Sequence, residues 1–134
     1  MEIKNIYNAL KAAPTDENVK IKIAHIVQGK QIGYHVAEIG QQVQAHVHKS
    51  GDEIYHVLKG SGLMYIGKVV FEDNRPVKTN WEQPVSVKEN DVFNIPEGYA
   101  HSLRNSGSEP LLISFCCPVA HLTEDDRFIV DNPT

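Results

Sequence analysis

The chain has 134 residues, with 13 Lys and Arg against 17 Asp and Glu, so its formal net charge is −4. This acidic balance argues against nucleic acid as a partner, because phosphate binding needs a basic surface. The sequence starts without an apolar signal segment, and no apolar run approaches the ~18 residues that span a membrane. We therefore expect a cytoplasmic protein that forms one domain over residues 1–134.

The first elements in chain order are a leader and two strands. Residues 1–18 form the leader, where apolar residues recur at helical spacing from Ile3 to Leu10 and predict two helical turns. Alternation of apolar and polar residues predicts a strand over 19–27 and another over 33–39. A turn between them would make the pair antiparallel.

A histidine-rich stretch follows the second strand. His46 and His48 are two residues apart, so in a strand their side chains emerge on the same face. A polar turn leads into a second strand that begins at Glu53, and antiparallel pairing can bring this carboxylate beside the two imidazoles. Such a set is typical of a divalent first-row transition metal site. Asp52 is the competing carboxylate; Glu53 is preferred because it keeps six residues to Gly60.

The segment 61–89 joins this stretch to the next motif and is long for a hairpin connection. A strand from Ser61, a turn signal and a returning strand up to Trp81 predict a long hairpin. It is either a surface hairpin or a flap over a binding cavity. Its cations, Lys68, Arg75 and Lys78, would then be available to an anionic group.

A second motif begins at Asn90 and runs through a Pro-x-Gly turn, Pro96 to Gly98, to His101. Proline presets its own φ, and glycine tolerates the backbone that the reversal needs. After it, an apolar strand over 111–117 is the last predicted strand. The tail, residues 118–134, still carries apolar side chains. We therefore expect both ends of the chain to be apolar extensions that pack on a protein surface.

Together the two stretches read G(x)5HxH(x)4E(x)6G and, later, (x)5PxGxxHxxxN, which resembles the two motifs of the cupin superfamily in their order. Asn90 stands where the second motif usually has glycine, and asparagine tolerates left-handed geometry better than most residues. The resemblance implies an all-β fold, a single jelly-roll barrel. A shorter run, from Glu53 to Met64, is similar to archaeal-type cupin phosphoglucose isomerases.

The resemblance also implies the site. In cupins the positions matched by His46, His48, Glu53 and His101 hold a metal, so we expect one divalent transition metal per chain, whether Fe, Mn, Ni, Zn, Co or Cu. Occupancy should fall below about pH 6, because ligand imidazoles must be deprotonated. Tyr55 is a candidate catalytic residue that could act as acid, base or substrate anchor, or simply fill the barrel.

The remaining histidines and the cysteines have less specific interpretations. His25 and His35 lie in strands without a ligand partner at useful spacing, which favours ordinary packed or surface residues. Strand parity points His56 away from the cavity. Cys116 and Cys117 are adjacent and point to opposite faces, so they are either core residues or include one thiol that reaches the metal cavity.

Three function classes fit this pattern. The first is a metal-dependent isomerase, epimerase or lyase acting on a sugar or small carboxylate. The second is a non-haem metal dioxygenase, and the third is a non-catalytic module that binds or senses a small molecule. Cupins catalyse many unrelated reactions, so the motifs alone do not choose the reaction.

A homodimer is the expected assembly. Leu111, Ile113 and Phe115 of the final strand, with the apolar residues of both extensions, suggest more apolar surface than one small barrel covers. Pairing through sheet edges or exchanged terminal segments would bury it.

Overall fold

A computed structural model describes residues 1–123 and 126–134; residues 124 and 125 of the predicted tail lie outside the described residues. The described helices and strands, in chain order, are α1 Ile6–Ala12, β1 Thr15–Asp16, β2 Ile21–Gln28, β3 Ile32–Ile39, β4 His46–His48, β5 Glu53–Lys59, β6 Ser61–Glu72, β7 Arg75–Trp81, β8 Val85–Lys88, β9 Val92–Ile95, β10 Tyr99–Asn105, β11 Leu111–Pro118, α2 Ala120–Thr123 and β12 Arg127–Ile129. The predicted all-β barrel is confirmed. None of the described helices is long and apolar enough to cross a membrane.

Two antiparallel sheets of six strands form the barrel. The first has the order β1-β2-β3-β11-β5-β9, and the second has the order β12-β4-β10-β6-β7 with β8 paired to β6. Strands distant in sequence thus become neighbours, as in a jelly roll. The His46 and His101 strands are adjacent, and these two residues are direct cross-strand partners.

The main core lies between the two sheets because one face of each strand is apolar. Its fully buried members include Ile39, Val57, Leu103 and Ile113. Each such side chain removed from water contributes about 1.5–3 kcal/mol. This core forms the floor beneath the histidine-bearing end of the barrel.

The two terminal extensions pack on their own barrel in different ways: α1 lies on the outer face of the first sheet, and β12 is an edge strand of the second. Helix α1 begins at Asn5, whose side chain accepts hydrogen bonds from two backbone amides of the first turn. Leu10 then packs on the outside of the first sheet, against Ile26 and Leu112. On the other side, Phe128 of β12 packs near Val47 and Val69 on the second sheet.

This packing corrects the reasoning behind the predicted homodimer. Leu111, Ile113 and Phe115 are buried within their own chain, and both extensions pack on their own barrel. The predicted helix also starts later than expected, and Ile3 is 81% exposed. The final strand is therefore covered without a partner, whereas Ile3, Leu122 and Ile129 of the extensions stay exposed, and the dimer stays a prediction.

The two turns of the second motif have the expected backbone. Asn90 adopts φ 72°, the left-handed geometry that its place in the motif requires, and Gly98 adopts φ 78°. Asp52, in the turn of the first motif, accepts hydrogen bonds from the backbone of Glu97 (2.9 Å) and the side chain of Asn94 (3.2 Å) in the second motif. The competing carboxylate thus ties the two motif turns together.

Candidate metal centre

Four buried side chains meet at one end of the barrel. His46 and His48 come from β4, Glu53 from the start of β5 and His101 from β10. One ligand-type atom from each lies within 4.8 Å of those of the other three. The period of two along β4 puts both histidines on one face, and the cross-strand pairing of His46 with His101 brings the third imidazole beside them.

Hydrogen bonds fix the orientation of two imidazoles. His46 donates from Nδ1 to the Gln44 carbonyl (2.8 Å), and His101 donates from Nδ1 to the Tyr99 carbonyl (3.4 Å). In a neutral imidazole this leaves the lone pair on Nε2. Carbonyl oxygens that hold the far nitrogen are the usual support of a metal-binding histidine.

Unsatisfied atoms test whether these residues suit a metal. Glu53 Oε1 and His101 Nε2 are buried without a hydrogen-bond partner among the described residues. The closest approach joins His101 Nε2 to Glu53 Oε1 at 3.2 Å. Leaving buried polar groups unpaired is costly, and a cation at the centre of the cluster would satisfy them. The donor set therefore fits a divalent transition metal.

Burial and mutual repulsion keep the imidazoles of His46 and His48 neutral. Burial, His101 and His48 lower the pKa of His46 well below its ordinary value, and burial is the largest cause that lowers the pKa of His48 to about 3. Burial would raise the pKa of Glu53, but the neighbouring His101 and His121 lower it well below its usual range. Neutral histidines and an ionised carboxylate are the protonation states that metal binding needs.

Two residues from the tail join the cluster and were not predicted. His121 of α2 stacks on His48 with ring centroids 3.9 Å apart and an interplanar angle of 4°. Its Nε2 donates to the Ser50 carbonyl, and its Nδ1 lies 3.9 Å from Glu53 Oε2. Asp126 places Oδ2 3.9 Å from His48 Nδ1, where a carboxylate can orient that ring. No spacing rule links position 121 to position 48, so only the fold shows this contact.

The pKa of His121 is raised above its ordinary value. Burial opposes the charged form, but the Glu53 carboxylate and the Ser50 carbonyl outweigh it. His121 is therefore the member of the cluster on which positive charge is most favoured.

Cys117 also reaches the cluster, which supports the second of its two sequence interpretations. It packs in the main core, yet its sulfur lies within 4.8 Å of ligand-type atoms of Glu53 and His121. Burial, the Glu53 charge and Cys116 raise the pKa of Cys117 to about 12. Cys116 is only partly buried and points to the other face of β11.

A cavity of about 40 Å³ is lined by three of the four predicted ligands, His46, His48 and Glu53. Tyr55 and Phe115 line it, with Cys117, His121 and Arg127. Burial and the Glu53 charge raise the pKa of Tyr55 well above its ordinary value, so its phenol stays protonated at neutral pH. Tyr65, a second tyrosine near this motif, instead lies under the guanidinium of Arg104, 5.6 Å from ring centroid to Cζ.

The cation at the cavity differs from those predicted. Lys68, Arg75 and Lys78 belong to the β6–β7 hairpin, which extends the second sheet and does not line the cavity, so the flap interpretation is wrong. Arg127 lies there instead, and its Nη1 is 3.3 Å from Asp16 Oδ2. The same arginine, with His121 and Leu122, also lines an outer groove of about 430 Å³.

Comparisons with known proteins agree with this architecture. An uncharacterized protein of Methanocaldococcus jannaschii is 28% identical, with 96% of this chain and 95% of that protein covered. The structure of hydroquinone 1,2-dioxygenase with Cd²⁺ and 4-hydroxybenzonitrile has a TM-score of 0.67 at 16% identity, covering 85% of this chain and 71% of that one. Bacillus subtilis oxalate decarboxylase, with Mn(II) centres, has a TM-score of 0.64 at 20% identity, covering 91% of this chain and 31% of that one.

At these identities the solved structures establish a shared fold. The family assignment comes from the cupin family model, which matches residues 22–125, more than half of the chain. That span begins in β2 and includes both histidine motifs. The chain therefore belongs to the cupin family, whose structural neighbours here include metal-dependent enzymes.

Proposed function

We propose that this chain is a metal-dependent isomerase, epimerase or lyase whose substrate is a small carboxylate. One observation carries the proposal. His46, His48, Glu53 and His101 converge with unsatisfied buried atoms, and the first three of them line a small cavity together with Arg127. A cation centre and a guanidinium at one cavity suit an anionic substrate.

The size of the cavity favours a small carboxylate over a sugar. A buried water needs about 10–15 Å³ of free cavity volume, so the cavity of about 40 Å³ has room for about three waters. An acid of two or three carbons can replace those waters. A hexose is several times larger and would require the surrounding side chains to move.

The metal ligands, Tyr55 and Arg127 would each have a separate role in binding the substrate. A bound divalent cation would supply a Lewis acid that polarises a substrate carbonyl or carboxylate. Tyr55, protonated at neutral pH, would donate a hydrogen bond to a substrate oxygen and would not act as a base. Arg127 would bind a carboxylate in place of its present partner, Asp16.

Metal-replete protein should be incubated with two- to four-carbon hydroxy, keto and dicarboxylic acids, and the products read by mass spectrometry and NMR. An isomerase or epimerase introduces solvent deuterium on carbon, and a lyase releases a fragment. Chelation should abolish turnover, and one metal should restore it. Tight binding without any product would instead support the binding or sensing module.

A matched pair of variants tests the role of Arg127. Arg127→Gln should raise KM at least tenfold, because it removes a charge that binds the substrate in both ground and transition states. Lys78→Gln removes a charge from the hairpin and should leave KM unchanged. Equal KM values for both variants and the unmodified protein would refute carboxylate recognition by Arg127.

The dioxygenase is the second candidate, and the structural likeness to hydroquinone 1,2-dioxygenase favours it. Such an enzyme would consume oxygen and add its mass to an organic product. An oxygen electrode, with protein loaded in turn with Fe, Mn, Ni and Cu, separates the two candidates. Oxygen uptake coupled to product formation would replace the isomerase or lyase assignment.

A further inference from the structure

We propose that Glu53, Cys117 and His121 bind a second metal ion beside the first centre. This site goes beyond the proposed function, because none of the predicted reactions requires it. It uses two side chains that the family motifs do not contain. It shares only Glu53 with the first centre.

The spacing of the donor atoms suits a cation. The three ligand-type atoms lie within 4.8 Å of one another, and His121 Nδ1 is 3.9 Å from Glu53 Oε2. Two donors bound about 2.1 Å from one ion lie between about 2.9 and 4.2 Å apart, depending on the coordination angle. A direct hydrogen bond would need about 2.7–3.2 Å. The observed separation therefore fits an intervening ion better than a hydrogen bond.

The orientation of His121 points its free atom at this site. Its Nε2 donates to the Ser50 carbonyl, so Nδ1 carries the lone pair in the neutral ring. This side chain is 1% exposed, and Nδ1 has no hydrogen-bond partner among the described residues. A buried lone pair that faces a buried carboxylate is unfavourable, and either a proton on Nδ1 or a metal cation between the two atoms removes the conflict.

The stacking of His121 on His48 separates the two ions. A metal lies in the plane of the imidazole that binds it, along the lone pair of the nitrogen. The rings of His48 and His121 are nearly parallel, with an angle of 4° and centroids 3.9 Å apart. One ion cannot lie in both planes, so an ion bound by His48 is not the ion bound by His121.

Glu53 is placed to bridge the two ions. Its Oε1 lies 3.2 Å from His101 Nε2, a ligand-type atom of the first centre, and its Oε2 faces His121. Pairs of metal ions in such sites are about 3.5–4 Å apart, which suits two oxygens of one carboxylate. Each oxygen thus belongs to a different donor set.

The donors indicate which ion binds. Thiolate, imidazole and carboxylate together favour zinc or cobalt, and three protein ligands leave a fourth position for water. All three side chains line the same cavity, which has room for that water. Binding would displace the thiol proton of Cys117 to solvent, because the thiolate is the ligand.

Titration of metal-free protein with Co²⁺ tests the proposal. We expect two equivalents per chain and a sulfur-to-cobalt charge-transfer band in the near ultraviolet. Cys117→Ser and His121→Gln should each lose one equivalent, and Cys117→Ser should also lose the band. Cys116→Ser is the matched control, since it removes the neighbouring thiol from the other face of the strand and should change neither quantity.

Three results would overturn the second site. The first is binding of a single equivalent of Co²⁺ to the unmodified protein, and the second is the absence of the charge-transfer band in that protein. The third is the wrong response of the band to the cysteine variants, so that it survives Cys117→Ser or disappears in Cys116→Ser. The titration of the unmodified protein is decisive even if a variant fails to fold. A band that remains in His46→Ala, with the other equivalent lost, would establish this site independently of any activity.

Discussion

His35 should make the stability of the protein depend on pH. It is fully buried on β3, its Nδ1 shares a hydrogen bond of 2.9 Å with His25 Nδ1, and its ring packs against Phe115. Burial and the neighbouring His25 lower the pKa of His35 from 6.5 to about 4. His35 therefore binds a proton less readily in the folded protein than in the unfolded chain.

The sign and size of the effect follow from linkage. A histidine with a depressed folded pKa contributes its full stability above pH 6.5 and loses it as the pH falls towards 4. The complete effect is about 3 kcal/mol at about 1.4 kcal/mol per pH unit. Between about pH 7.5 and pH 5, the free energy of unfolding should fall by about 2 kcal/mol because of this residue alone.

Urea denaturation of metal-free protein at the two pH values measures this quantity. His35→Leu should reduce the pH dependence by about 2 kcal/mol relative to the unmodified protein, whatever its own stability. His56→Leu is the control, because it removes a histidine that points away from the barrel interior. His35→Gln serves if the leucine variant does not fold. An unchanged pH dependence in both His35 variants would refute the reasoning.

Three further predictions concern the metal and the assembly. Elemental analysis of a His46→Ala/His48→Ala variant should show loss of the first metal, and full occupancy would rule out that centre. The depressed pKa values of His46 and His48 should let the metal survive dialysis at about pH 5, below the limit of about 6 expected from ordinary histidines; half-loss near pH 6 in an elemental assay would contradict this. Light scattering at micromolar concentration tests the homodimer, which predicts twice the chain mass of 15.0 kDa and is excluded by a monomer.

The sequence predicted what depends on local geometry. The period of two along a strand placed His46 and His48 together and turned His56 away. Backbone tolerance explained Asn90, whose φ is positive as its motif position requires. The motif spacing also selected Glu53 over Asp52, which the structure places in a hydrogen-bonded link between turns.

What the sequence could not predict depends on contacts across the fold. His121 and Arg127 reach the cavity through the path of the tail, and no periodic pattern encodes that path. The hairpin cations were assigned to the cavity only because they are charged and lie in a long insertion. Counting the apolar residues of β11 suggested a partner chain, since composition cannot tell which apolar face the chain itself covers.

The strand that carries His46 and His48 can pair with its neighbours only late in the synthesis of the chain. It is three residues long, and its two neighbours, β10 and β12, are made more than 50 residues later. On a ribosome the first histidine motif therefore emerges well before anything can hold it in register. Closing contacts over such separations is slow, because the entropy of the intervening loop opposes it. A nascent chain would thus complete the four-ligand set only after the strand that carries His101 has paired with the histidine strand.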